Sequence, residues 1–273
     1  MSAVVLESNR PRTMATHALI LAAGVGRRLG EPVPPASLNS NVALDPKALL
    51  DFGGKSLIAR HIAILRSVGV TQVTVVVGFE ADTLRTALAA LDVDPPVSTV
   101  LNPDYREGSV VSLWAGREVL RSGAPVILMD ADVLYDRRLM ARLADSANPD
   151  CLLLDREIEP GDEPVKLCIR DGRIVDFHKR PTAEHQWHGE SVGFFRFTPQ
   201  TAAELADRAE DYVTSGRRDM EYEEPVRDMI QASDRFGFED ISGLPWTEID
   251  FPEDIVKARG LLPELLGLPE LVA

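Results

Sequence analysis

Cysteine is scarce: Cys151 and Cys168 are the only two in 273 residues. Two thiols at that spacing make neither a disulfide framework nor a zinc site, so a reducing compartment, the cytoplasm, is expected. Long apolar runs are missing too. The longest candidate, residues 18–25, runs into glycines and falls far short of the roughly 18 residues that span a bilayer, so no membrane insertion is expected. Basic charge is in deficit, with 29 Lys+Arg against 43 Asp+Glu for a net charge of −14. Phosphate-backbone binding needs a basic face, which makes nucleic acid an unsuitable partner. Residues 1–16 carry Arg10 and Arg12 with no apolar stretch behind them, so they read as a ragged tail rather than a signal peptide.

What is present is a globular composition, 45% hydrophobic, in which short β-branched runs alternate with helical periodicities. Residues 18–22 are apolar on both faces, as in a central parallel strand. Leu57, Ile58, Ile62, Leu65 and Val68 then recur at helical steps, with Gly69 placed as a C-terminal cap. Strands are expected at 73–77, 97–101 and 126–129, and helices at 84–91, 109–121 and 136–145. The texture then changes. Runs at 151–154, 165–170, 173–178 and 191–197, with the Asp171-Gly172 hairpin signal, read as antiparallel strands. Helices at 199–212 and 251–262 close the pattern, the latter followed by Pro263. One α/β domain over 17–273 with a mixed sheet is expected, not two units.

The first strand leads into Leu21-Ala22-Ala23-Gly24-Val25-Gly26-Arg27-Arg28-Leu29, and Pro46-Lys47 follows a proline-rich loop at 31–46 that is either a lid or a surface insertion. Glycines after a buried parallel strand let the backbone approach a ligand and aim its N–H groups at phosphate oxygens. Arg27, Arg28 and Lys47 add positive charge. Position 29, where a dinucleotide fingerprint wants glycine, is Leu29, and no P-loop Gly-Lys-Ser/Thr is present. Asp130 and Asp132 follow the 126–129 strand, at the rim where open α/β sheets bind ligands, and two hard oxygen ligands suit Mg²⁺. Asp250, ahead of Pro252, is placed to cap the last helix.

These segments, in this order, resemble the nucleotidyltransferases that make NDP-sugars and CDP-alcohols. The match runs from the Leu-Ala-Ala-Gly-x-Gly-x-Arg turn and Pro-Lys through Gly53-Gly54-Lys55-Ser56-Leu57-Ile58 to Trp246-Thr247-Glu248-Ile249-Asp250. The resemblance implies a three-layer Rossmann-like fold of the nucleotide-diphospho-sugar transferase type. Its mixed sheet is mainly parallel, with a small antiparallel portion on the acceptor side. It implies that Arg28, Lys47 and Lys179 are catalytic, and that Leu21, Ala22, Ala23, Gly24, Gly26, Arg27, Gly78, Asn102, Ser109 and Asp130 join Arg28 and Lys47 around the nucleotide. Asp132 and Asp250 would hold Mg²⁺. Lys179, Gly193, Glu221, Tyr222, Glu223 and Glu224 would line the acceptor, with Trp187 or Trp246 offering an aromatic face to a cationic head.

The branch most similar uses phosphocholine or 2-aminoethylphosphonate, so the expected partners are an NTP, with CTP favoured, and a small organic phosphate or phosphonate. Gly108-Ser109 departs from the Asn-Asn of the choline-using members, which leaves the base open. Sugar-1-phosphate, inositol-1-phosphate and molybdenum-cofactor-type nucleotidyltransferases stand as alternatives, and a silent nucleotide-binding regulator as a different class. The sequence also leaves a homo-oligomer open.

Overall fold

The computed structural model describes residues 15–26, 29, 46–158 and 161–267. Arg27, Arg28, most of the 1–16 tail and residues 31–45 lie outside this set, so the roles expected of them are not located.

The central strand is β1 (His17–Ala22), paired in parallel with β2 (Gln72–Val77) on one side and β4 (Val126–Asp130) on the other. The register sets Leu21 opposite Val76 and Asp130, so the glycine turn and the aspartates emerge at the same carboxyl edge. β3 (Ser98–Leu101) extends the parallel side. Beyond β4 lies the long strand β9 (Trp187–Phe197), antiparallel to β4 and to β6 (Asp150–Asp155), with β10 (Phe236–Asp240) as the outer strand. The amino-terminal half of β9 also pairs with β7 (Lys166–Arg170), which forms a hairpin with β8 (Arg173–His178). Its turn residues, Asp171 and Gly172, take φ of 51° and 75°, the left-handed pair that a two-residue hairpin turn requires.

Alternation along β1 divides the core. Ile20 packs with Ile58 and Ile62 of α1 (Leu57–Ser67), Leu84 of α2 (Ala81–Ala89) and Leu139 of α5 (Arg137–Asp145). Leu19, pointing the other way, packs with Leu113 of α3 (Ser109–Ala115), Leu205 of α6 (Pro199–Thr214) and Val226 of α7 (Glu223–Ala232). Two helical layers therefore sandwich the sheet. The helix expected over 109–121 is broken at Gly116 into α3 and α4 (Arg117–Leu120). A Cβ at Gly116 would lie 2.6 Å from Leu19 Cδ2, so the break is where helix backbone and strand meet.

Two three-residue strands escape periodicity analysis. β5 (Val133–Tyr135) pairs antiparallel with β11 (Trp246–Glu248) as a separate ribbon. Helix α8 (Pro252–Leu265) packs on it through Ile255 and Ala258, against Leu134 and Ile249. Pro263 does not stop α8, because so near the end its missing N–H costs a single helical bond. The expectation that Asp250 caps α8 is corrected. Asp254 accepts the amides of Asp250 (2.9 Å) and Phe251 (2.7 Å), the N-cap is Phe251, and the Asp250 side chain is turned to other partners.

Candidate active site

The ribbon brings the acidic residues together. β5 starts one residue after Asp132, Glu248 pairs with Val133, and the Ile249 amide donates to the Asp132 carbonyl at 2.9 Å. One carboxylate oxygen from each of Asp132, Glu248 and Asp250 consequently falls within 4.8 Å of the others. Lys47, from a 3₁₀ turn at Lys47–Leu49, reaches into this cluster and donates to Asp250 Oδ1 at 2.6 Å and Asp132 Oδ2 at 3.1 Å. Burial alone would depress the lysine, but Asp132 and Asp250 outweigh it and hold its pKa above the ordinary value. Gly26, with φ of 63°, makes room for that reach, since a Cβ there would sit 3.1 Å from Lys47 Cγ.

Three carboxylates sharing one lysine leave uncompensated negative charge. Burial, then repulsion from Asp132 and Asp250, pushes Glu248 well above the usual carboxylate range, although its side chain still meets solvent in the open cleft. Hard carboxylate oxygens so arranged are the donor set of Mg²⁺, and these residues fit a divalent cation. Asp132 and Asp250 were expected in this role. Glu248 was not, although residues 248 and 250 share one face of an extended segment.

The main-chain turn carrying Asp132 is fixed from two more sides. The Ala131 amide donates to Leu21 O (3.2 Å), and buried His61 of α1 donates from Nε2 to Ala131 O (3.0 Å). Burial lowers the His61 pKa to about 4, so the ring is neutral, stacked on Tyr135 with centroids 5.4 Å apart. Asp130 stands apart from the carboxylate cluster. Its Oδ2 accepts from Tyr222 Oη at 2.6 Å, and burial, followed by the charges of Asp132 and Glu223, raises its pKa well above the usual range. Gly193, with φ of 76°, allows this approach: a Cβ there would lie 2.3 Å from Asp130 Oδ2.

Two cavities meet at this cluster. The first, about 550 Å³, is lined by Leu21, Ala23 and Gly24 on one side and by Tyr105, Ser109 and Glu221 on the other. The second, about 530 Å³, lies over Gly193 and Trp246 and is strongly acidic, with Asp155, Glu157 and Glu190 in its wall. Asp130, Lys179, Tyr222, Glu223, Glu248 and Asp250 line both. Lys179 follows β8, and its Nζ pairs with Glu163 Oε2 at 3.1 Å. Burial, then Glu221, raises Glu223 to about 7, and its Oε2 is buried without a hydrogen-bond partner among the described residues.

Several expected site residues sit elsewhere. Ala22 faces the α1 core. Gly78 packs under Tyr105 and Ala23, where a Cβ would come within 2.5 Å of Tyr105 Cβ. Asn102 is buried; its amide donates to Ser112 Oγ (3.0 Å) and its oxygen accepts from Asp104 N (2.9 Å), so it shapes the loop without lining a cavity. Glu221 belongs to the first cavity only. Glu224 lines neither, since it pairs with His178 (3.1 Å) and Arg227 (3.9 Å). Of the two tryptophans, Trp246 lines the acidic cavity, its Nε1 donating to Asp155 at 2.7 Å, whereas Trp187 packs on Phe238 under Arg156.

Residues 18–177 match the family model of the MobA-like NTP transferase domain. This chain belongs to that family. The MobA-like NTP transferase is 27% identical over 267 residues to the CMP-5'-(3-aminopropyl)phosphonate synthase of Streptomyces rubellomurinus, covering 90% of this chain and 40% of that protein. It is 22% identical to the CTP:phosphoglutamine cytidylyltransferase of Campylobacter jejuni, over 88% of this chain and 97% of that one. Of the bifunctional IPC transferase and DIPP synthase of Rubrobacter xylanophilus it spans half the length, at 26% identity over 87% of this chain. Among solved structures, the inositol-1-phosphate CTP transferase of T. maritima superposes with a TM-score of 0.73 at 21% identity, over 95% of this chain and all of that one. The CTP:phosphocholine cytidylyltransferase of Streptococcus pneumoniae gives 0.72 at 22%, over 91% and 100%. The MobA-like NTP transferase thus shares its fold with cytidylyltransferases and is an enzyme of nucleotidyl transfer. Among its described residues no helix is long and apolar enough to cross a membrane.

Proposed function

We propose that this enzyme is a Mg²⁺-dependent cytidylyltransferase, joining CMP from CTP to a small phosphate or phosphonate that carries a cationic amine and releasing pyrophosphate. The observation that carries the reading is the meeting of a nucleotide-sized cavity and an acidic cavity at Glu248 and Asp250, two members of the carboxylate cluster that Asp132 completes and Lys47 pairs with. Residues 17–273 would act as one catalytic domain in the cytoplasm, whether as a monomer or a homo-oligomer.

The acceptor arrives as an oxyanion, so no general base is needed. One of its oxygens attacks the α-phosphorus as the bond to the β-phosphate breaks, and the electron pair leaves with pyrophosphate. Catalysis is then mostly alignment and charge compensation. Lys47 and the amides of the Gly24–Gly26 turn hold triphosphate oxygens, and Lys179 holds the acceptor oxyanion. Asp132, Glu248 and Asp250 would hold Mg²⁺, which supplies compensation for charge on the α-phosphate and the leaving group. Glu223, Glu157 and the face of Trp246 favour an ammonium on the acceptor.

The test is pyrophosphate release from each of four NTPs with phosphocholine, 2-aminoethylphosphonate, inositol-1-phosphate and hexose-1-phosphates. Release with CTP and an amine-bearing acceptor supports the proposal; release only with a sugar phosphate refutes the amine. Asp132→Ala and Asp250→Ala should each slow turnover by about 100- to 1000-fold.

A further inference from the structure

Of the acidic residues expected around the acceptor, Glu221 belongs to the other substrate. It lines the nucleotide cavity with Tyr105, Ser109 and Ser112, and it has no part in the acidic one. Its orientation is set by Ser109, whose Oγ donates to Glu221 Oε2 at 2.6 Å while accepting from the Tyr222 amide at 2.8 Å. The hydroxyl proton is thereby committed, and Oε1 is left to a donor on the ligand. The two segments are held close by backbone pairing: Gly108 N donates to Arg218 O (2.8 Å) and Val110 N to Met220 O (3.2 Å). A side chain at Gly108 would destroy this, since its Cβ would fall 2.2 Å from Met220 O.

Charge fixes the direction in which a nucleoside triphosphate enters. The phosphates belong at Lys47 and the glycine turn. The opposite wall carries Glu107, Asp219 and Glu221 with Arg106 among them and Arg218 paired to Glu107 at 2.5 Å, so it keeps a net negative charge that disfavours phosphate and leaves it to the nucleoside. We propose that Glu221, oriented by Ser109, reads the exocyclic amine of cytosine and so selects CTP over UTP. Cytosine presents an N4 amino donor where uracil presents a carbonyl oxygen. A carboxylate accepts from the first and repels the second, so one contact both attracts and rejects. The inference rests on the cytidylyl-transfer reading above.

The experiment compares kcat/KM for CTP, UTP and dCTP, with one acceptor, in the full-length enzyme and its Glu221→Gln and Ser109→Ala variants. In Glu221→Gln the amide can donate to the uracil oxygen, so the CTP:UTP ratio should fall by about 10- to 100-fold, the worth of one charge-assisted hydrogen bond. Ser109→Ala, which frees the carboxylate to swing, should shift the ratio the same way by less. A Glu221→Gln variant that loses activity equally toward both nucleotides, its ratio unchanged, overturns the inference. So does a change confined to the CTP:dCTP ratio, which would assign the carboxylate to the ribose hydroxyls. Failure of the cytidylyl reading itself is seen separately, as a wild-type enzyme with no preference for CTP.

Discussion

His61 gives the sharpest stability prediction. Its Nε2 proton is engaged by the Ala131 carbonyl, and Nδ1 is buried with no hydrogen-bond partner among the described residues. Adding a proton would bury a charge beside Tyr135 and Phe194, and this burial outweighs the pull of the Ala131 carbonyl and of Asp132, lowering the pKa from 6.5 to about 4. The unfolded chain protonates near 6.5 and the native chain does not, so the stability His61 contributes is intact above 6.5. It is lost as pH falls toward 4. Linkage over that shift gives about 2 kcal/mol between pH 7 and pH 5, at roughly 1.4 kcal/mol per pH unit in the steep part. The assay is urea unfolding of the wild type and His61→Gln at pH 7, 6 and 5, without divalent cation. Wild type should lose about 2 kcal/mol relative to the variant across that range, whatever constant amount the variant loses at pH 7. Parallel pH profiles would refute the reasoning, because they would mean that the native state accommodates the imidazolium.

Glu223 should act with the opposite sign. Burial raises its native pKa to about 7 from the ordinary 4.5, so the native state holds the proton longer and stability falls as pH rises through that window. Glu223→Gln should gain on wild type by at most about 2.5 kcal/mol between pH 5 and pH 8, and a gap that stays constant in the same urea assay would contradict the shift. Gly193→Ala should cost about 1–3 kcal/mol from the left-handed φ alone and should also drive Asp130 from Tyr222; an unchanged unfolding midpoint would show that the strand relaxes freely.

The legible parts of this molecule were those that repeat or that end an element. Lys47 and the placing of Asp250 beside Asp132 came from the resemblance, whereas β1, β2 and β4 announced themselves by β-branched runs, and the glycine turn and Asp132 by following a strand. Glu248 did not, because β5 and β11 have three residues each, too few for a period to register, and their pairing depends on a contact distant in the chain. The acidic stretch 221–224 shows a different limit. Glu221 precedes α7, whereas Glu223 and Glu224 open it and point about 100° apart, so the three part toward the cavity beside the glycine turn, the junction of the two cavities and His178. Composition sees only one acidic patch. Asn102 shows a related limit: a buried asparagine tying down its own loop has the same letter as one reading a base.

The ribbon also carries an order of events. It joins residues 133–135 to 246–248, whereas the nine-stranded sheet is complete once β10 has formed at Asp240. A chain emerging from the ribosome can therefore assemble its scaffold and glycine turn before Glu248 and Asp250 exist in folded form. Under the proposed chemistry, competence is the last property the chain acquires, because the carboxylates of the 246–250 segment join a sheet that is already complete.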